Sequence, residues 1–259
     1  MEPFKREINA DTLRFKYEKG ISSRTGREIH PYYEIILFFG ERAELFSDLG
    51  HTAILPNTLI VIPKETYHQL NIIGDPHAYH RCVLHFSASE EMRALIEQSM
   101  TSLFVCEVGE SVALLFQKLI KTAESDWDEE TKGLLLRACL PLLLSELSQN
   151  EGSVTPLLDP VARGSLAYIN AHLGEELSVA IVARQLNVSP SLLSHAFKKE
   201  MNISFYQYVL KKRLTKAFRR IRRGEAAAMV AADCGFCDYS NFYRQYKKAF
   251  GCAPSVKKE

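Results

Sequence analysis

Between residues 183 and 248 the chain runs through one pattern twice, and that duplication limits what its carboxyl-terminal part can fold into. LSHAFKK at 193–199 matches FYRQYKK at 242–248 at an offset of 49, and ARQLNV at 183–188 matches AADCGF at 231–236 at an offset of 48. The second copy carries one extra turn residue, Cys237. In each copy a short periodic segment stops at Asn187 or Gly235, residue types that tolerate a left-handed backbone. A second segment follows an N-cap candidate, Ser189 or Asp238, and Pro190 suits a first helical position. The pattern predicts helix, turn, helix, twice over. In such a unit the second helix lies in the DNA major groove while the first braces across the backbone.

Charge divides the chain at the same place. Residues 1–150 hold 15 Lys and Arg against 22 Asp and Glu, a net of −7, whereas residues 151–259 hold 17 against 9, a net of +8. A basic stretch of about a hundred residues attracts a polyanion and the acidic one repels it, so double-stranded DNA is the partner expected of the rear half. A basic face that only confers solubility is the plain alternative, and charge alone does not decide between them.

The faces of the two second helices separate core from contact. Leu192 or Leu193 with Ala196 and Phe197, and Phe242 with Tyr246, are expected to hold the helices down. Ser191, Ser194 and His195 in the first copy, and Tyr239, Ser240, Tyr243 and Arg244 in the second, are the expected base readers. The Arg244 fork suits guanine O6 and N7, and Tyr and Ser can reach base edges or phosphate. The pairs Lys198–Lys199 and Lys247–Lys248, with Arg213 from the segment between, are expected on phosphates, because point charges position without specifying. An ordinary solvated helix face is the rival for each residue singly; two copies in a +8 domain favour contact. Residues 204–223 between the copies predict a helix of about 30 Å, near the roughly 34 Å between major-groove faces on one side of B-DNA.

These residues resemble the AraC/XylS family of bacterial transcription regulators over about residues 161–255. The likeness is carried by LSVAIVARQLNVSPSLLSHAFKKEMNISFYQYVLKKRLTKA and, more specifically, by CGFCDYSNFYRQYKKAFGCAPS. It implies a DNA-binding domain with two helix-turn-helix units on a linking helix, and it puts the seven expected base readers at base-reading positions. This chain departs from the family pattern where Met201 or Asn202 stands for Gly, Ala227 for Ile, and Val256–Lys257 for Tyr-Arg. The Ala227 change predicts weaker packing of the second unit's bracing helix.

The front half has a different texture. YYEIILFF, AILP, TLIVIP and HRCVLHF between residues 31 and 86 are short β-rich runs bounded by Gly, Asn and Pro. They predict a sandwich or barrel up to about residue 87. Helical spacing then predicts helices over 90–100, 111–125 and 128–149. The third is apolar on more than one face through Leu134 to Leu136, Leu140, Leu143, Leu144 and Leu147, so a homodimer interface or burial within the monomer is expected. NEGSVTPLLDP at 150–160 reads as a linker. The expected architecture is α+β in two domains: a cupin-like barrel with trailing helices over 1–149, and an all-α DNA-binding domain over 161–259. No apolar run reaches membrane-spanning length, and the first residues lack the apolar stretch of a signal peptide, so a cytoplasmic location without membrane attachment is expected.

His30, Glu34, His68 and His85 are the chemistry-bearing residues of the front half. HPYYE at 30–34 followed by PKETYHQLN at 63–71 is similar to the cupin-type sensor barrel common in that regulator family. Enzymatic cupins place two His and a Glu in the first motif, and here it shows one His, so the expectation is no metal and no cofactor. His30, Tyr33, Glu34, Tyr67 and His68 are instead expected to line a pocket for a small polar effector, with a carbohydrate the class that the family likeness suggests. Each could equally satisfy hydrogen bonds of the fold. Cys234 and Cys237 form a C-x-x-C, but no second ligand pair completes a zinc site. No nucleophile, base and orienter arrangement emerges, so catalysis is not expected. The rivals to a ligand-responsive regulator are a metal-dependent cupin enzyme with an attached helical domain, and a constitutive DNA-binding protein without ligand.

Overall fold

Ile8, Ala10, Leu13, Phe15 and Tyr17 alternate with polar and charged neighbours, and this period of two builds a hairpin. Strands β1 (Phe4–Ala10) and β2 (Leu13–Lys19) pair antiparallel around Asp11, whose φ is 52°. The computed structural model describes residues 4–20, 26–75, 79–149 and 158–255. It continues with β3 (Tyr33–Phe38), β4 (Arg42–Ser47), β5 (Gly50–Ile54), β6 (Thr58–Ile62), β7 (His68–Ile73), β8 (His80–Phe86), α1 (Arg93–Ser99), β9 (Phe104–Glu107), α2 (Glu110–Glu124) and α3 (Glu129–Ser148). Then follow α4 (Pro160–Ala171), α5 (Val179–Gln185), α6 (Pro190–Met201), α7 (Phe205–Arg222), α8 (Ala227–Asp233) and α9 (Tyr239–Phe250). The chain divides into two compact units: Met1–Glu28, Tyr32–Leu45 and Thr52–Pro156 form one, and Ile29–Pro31, Phe46–His51 and Leu157–Glu259 the other.

The strands form a six-stranded sheet, β1-β2-β8-β3-β6-β9, and a three-stranded sheet, β5-β4-β7. The expected closed barrel is therefore corrected: among the described residues these are two open sheets, each with its own edges. One face of the larger sheet, carrying Phe15, Tyr33, Ile35, Leu37, Leu59, Val61, Leu84 and Phe86, buries itself with Val112, Phe116 and Leu119 of α2 and Leu136, Leu140, Leu143 and Leu144 of α3. That helical cover satisfies an apolar face that a barrel would otherwise enclose. Helix α3 spends most of its leucines here but leaves Leu134 61% and Leu142 57% exposed.

The second unit is helical wherever it follows the first 157 residues. Side-chain caps start five of its six helices: Asp159, Ser178, Ser189, Ser204 and Asp238 each accept from backbone N–H groups of the first turn. Leu193, Phe197, Phe205 and Tyr208 pack the first copy of the repeat, with Phe197 edge-on to both Phe205 and Tyr208. Phe242 and Tyr246 pack the second against Leu214, Ala217, Ile221, Val230 and Ala231. Residues 150–157 of the expected linker lie outside the described residues. Among the described residues no helix is long and apolar enough to cross a membrane.

Candidate nucleic-acid interface and an interior cluster

The repeated sequence folds into a repeated turn. Leu186 N–H donates to Val182 O at 3.0 Å, as Cys234 does to Val230. Asn187 and Gly235 donate to Arg184 and Ala232 at 3.2 and 2.9 Å, and Val188 and Phe236 donate to Ala183 and Ala231 at 3.0 Å each. This is a Schellman ending made twice, and it demands a left-handed residue, met by Asn187 at φ 54° and Gly235 at φ 82°. Immediately beyond, Ser189 and Asp238 start α6 and α9. The helix-turn-helix geometry therefore comes from short-range bonds that the sequence spells out locally.

Both second helices present the expected faces. Leu193 and Phe197 on α6, and Phe242 and Tyr246 on α9, are buried, while Ser191, Ser194, His195, Lys198 and Lys199 are exposed. Tyr239, Ser240, Tyr243 and Arg244 line one open groove at the start of α9, with Lys247 and Lys248 exposed a turn further on. Of the two leucines, Leu193 is the anchor; Leu192 is 50% exposed, and an apolar tip at the start of a reading helix can meet a thymine methyl. Sequence reasoning left Leu192 among the core candidates because periodicity alone did not choose between neighbours.

Arg213 is a correction. Expected on a phosphate, it turns inward: Nε donates to Leu173 O at 2.9 Å, Nη1 to Gly235 O at 2.8 Å and Nη2 to Glu175 O. A guanidinium spent on three carbonyls is a structural clamp of the second turn. Arg220 is committed likewise, to Glu225 ahead of α8 and to Asp233 at its end. These ion pairs bracket a helix whose N-cap residue, Ala226, has no side-chain cap to offer. Cys234 is core and Cys237 exposed; all six cysteines are free.

The first unit brings together a different set. Glu34 on β3 and His85 on β8 face each other across the pair, with His85 Nε2 to Glu34 Oε1 at 2.9 Å. His68, where β7 begins, sets its Nε2 2.8 Å from Glu34 Oε2 and its Nδ1 3.1 Å from Thr66 O. Glu28 exchanges both backbone hydrogen bonds with His68. Burial opposes charging of His68, yet Glu34, with Glu28 and the Thr66 carbonyl, outweighs it and holds the pKa above the ordinary imidazole value. Tyr32 packs its ring, tilted by 50°, against His85 with centroids 4.8 Å apart, and burial with the nearby Glu28 and Glu34 pushes its phenol up to about 12.

Of the expected effector residues, Glu34 and His68 meet. Tyr33 does not join them and is corrected: successive strand residues point to opposite faces, so it stacks on Phe86 at 5.4 Å in the helix-covered core. Tyr67 is buried in the first unit, and His30, also buried, lies in the segment Ile29–Pro31 that groups with the second. His85, noted in the sequence but given no role, completes the cluster; its signal was the β3–β8 register, which no local pattern reveals.

A helix-turn-helix domain family matches residues 182–259. The Msm operon regulatory protein of Streptococcus mutans serotype c is 24% identical over 253 residues, covering 93% of this chain and 88% of that protein. The arabinose operon regulatory protein of Escherichia coli strain K12 is 29% identical over 143 residues, 54% of this chain and 49% of that one. Among solved structures, the C-terminal domain of AraT, a response regulator from Geobacillus stearothermophilus, aligns at 33% identity over 38% of this chain and 82% of that one, with a TM-score of 0.37. Residues 182–259 form a helix-turn-helix domain of the AraC/XylS type.

Such a domain supports DNA binding and transcription regulation, and the relatives it resembles are named as regulators. Its departures from the AraC/XylS pattern have local explanations. Where the family has Gly after α6, Asn202 takes the left-handed C-cap position at φ 49°, which Asn tolerates best after Gly. Ala227 is partly buried against the second core, a smaller group where the AraC/XylS pattern has Ile, and the Arg220 ion pairs brace that helix from its two ends. Val256 and Lys257 lie outside the described residues.

Proposed function

We propose that this AraC/XylS regulator reads duplex DNA with α6 and α9. Ser191, Ser194 and His195, and Tyr239, Ser240, Tyr243 and Arg244, contact bases; Lys198, Lys199, Lys247 and Lys248 contact phosphates. The observation that carries the reading is the identical turn bonding of the two copies, each followed by a capped helix whose outward face is polar and basic. Binding of a small polar effector in the strand-rich unit would shift DNA affinity through a difference in affinity between two arrangements of the protein. A carbohydrate is the favoured class, in keeping with the name of the arabinose operon regulatory protein that the chain resembles. The protein would work in the cytoplasm as a homodimer, whose interface would use the exposed leucines of α3. Fluorescence anisotropy on DNA from upstream of its own gene, with and without a sugar panel, tests this. Retention of cognate over scrambled DNA supports the reader, and a sugar-dependent change in affinity supports the sensor. Equal affinity for cognate and scrambled DNA at every salt concentration overturns sequence-specific reading.

A further inference from the structure

We propose that the second unit holds a binding pocket for a small carboxylate with an apolar body, lying where the two helix-turn-helix copies meet and gripped by Arg213. The pocket has a volume of about 220 Å³ and lies between the segment before α5, the first half of α7, and the second turn with the start of α9. Phe205, which packs on Phe197 of the first copy, shares its wall with Gly235 and Asn241 of the second, so an occupant touches both copies at once.

The lining sorts into an apolar body and a charged end. Leu177, Phe205, Val209, Leu210 and Phe236 supply the wall, and Tyr206, 65% exposed, stands at its rim. Leu177, Leu210 and Phe236 are half-buried, so an apolar occupant takes further surface from water. The volume falls below the roughly 300–1,000 Å³ of pockets for drug-sized ligands, which limits the occupant to one ring or a short chain. Aromatic side chains at Phe205, Tyr206 and Phe236 favour the ring.

Arg213 sets the charge. Three of its five N–H donors are spent on the carbonyls of Leu173, Gly235 and Glu175, which leaves one on each terminal nitrogen. Among the described residues no carboxylate pairs with this guanidinium. Asp238, also in the lining, uses its two oxygens on the N–H groups of Ser240 and Asn241 as the cap of α9. Burial lowers the Arg213 pKa, and the groups that oppose it are the Cys237 and Cys234 thiols and the Tyr206 phenol, none of them a carboxylate. A cation partly withdrawn from water and met only by carbonyl dipoles gains most from an anion, and a carboxylate takes two N–H groups of a guanidinium together. The wall counts against phosphate or sulfate, which bring the charge without an apolar body. Clamping the turn and gripping a ligand use different hydrogens of the same side chain.

The test is isothermal titration calorimetry of the full-length protein with 3-phenylpropionate, beside 3-phenylpropanol and acetate. The acid is expected to bind one equivalent per chain and to raise the Tm. The alcohol, lacking the charge, and acetate, lacking the ring, should each bind at least about tenfold more weakly. Removing Arg213 would also loosen the turn, so the decisive variants are at Cys237, an exposed residue of the lining that acts on the Arg213 charge. Cys237→Glu supplies a competing carboxylate and should weaken the acid at least about tenfold with unchanged circular dichroism, whereas Cys237→Gln should bind within about threefold of the wild type. No binding by the wild type, equal affinity for acid and alcohol, or equal binding by Cys237→Glu and Cys237→Gln would each overturn the proposal. The pocket belongs to the second unit alone, so a sugar response of the strand-rich unit should survive in Cys237→Glu, and failure of one reading is distinguishable from failure of the other.

Discussion

Arg213 holds Gly235 by its carbonyl, Nη1 to O at 2.8 Å, and stands so close that a Cβ on Gly235 would meet the guanidinium carbon at 2.7 Å. The glycine is required twice, by its φ of 82° and by this approach. Arg213→Ala strands three carbonyls and should cost about 2 kcal/mol or more in urea unfolding. Gly235→Ala should cost about 1 to 3 kcal/mol from backbone strain and the displaced side chain. Neither should alter the salt slope of DNA binding. A slope reduced by about one in Arg213→Ala would restore it to the phosphate contacts.

Arg244 and Lys247 lie three residues apart on α9, yet different outcomes are expected of them. Arg244→Ala should cost about 1 to 3 kcal/mol on the cognate site and relax preference at one or two positions. Lys247→Ala should weaken all sequences alike and flatten the salt dependence by about one unit. Anisotropy at several salt concentrations, on cognate and scrambled duplexes, checks both. Uniform loss in Arg244→Ala would contradict base reading, and an unchanged slope in Lys247→Ala would remove its phosphate role.

The contrast between Asn187 and His85 shows what a sequence makes legible. Asn187, Ser189 and Pro190 act within one turn of themselves, so the helix-turn-helix units, their caps and their exposed faces could be read directly. The helices of both halves were legible for the same reason. The hairpin β1–β2 was hidden because its apolar residues alternate singly with charge, and β4 and β9 are too short and mixed to stand out. Tyr33 was grouped with Glu34 although neighbouring strand residues part to opposite faces, which a motif reading does not resolve. Arg213 looked like its basic neighbours until the tertiary fold supplied three carbonyls to turn it inward.

Leu134 and Leu142 stand eight residues apart on the exposed side of α3, with the exposed Ala138 midway, so they form one stripe. If that stripe joins two chains, Leu134→Glu with Leu142→Glu should convert dimer to monomer in light scattering, with unfolding unchanged to within about 1 kcal/mol because neither side chain belongs to the core. A wild type that is monomeric at all concentrations, or a dimer indifferent to both changes, would place the interface elsewhere or nowhere.

His80 gives the first unit a defined acid sensitivity. Its ring is packed by Phe39 at 4.6 Å and Tyr17 at 5.2 Å, with Nε2 3.0 Å from the Tyr17 hydroxyl. Burial, aided by Lys19, depresses its pKa to about 4. Between pH 6.5 and 4 the unfolded chain therefore takes up a proton that the folded chain refuses, so stability rises with pH across that window. The stabilisation is complete above pH 6.5 and is lost as the pH falls toward 4. After discounting for the part-exposed ring, the loss should amount to about 1 to 2 kcal/mol. His80→Gln keeps a partner for Tyr17 without titrating, so its stability should fall less than that of the wild type between pH 7 and 4.5. His68, whose pKa is shifted upward, acts with the opposite slope, but it does so in both proteins and cancels in the comparison. Urea unfolding of the pair at a series of pH values measures the difference, and parallel curves would show that His80 protonates as readily in the folded chain as in the unfolded one.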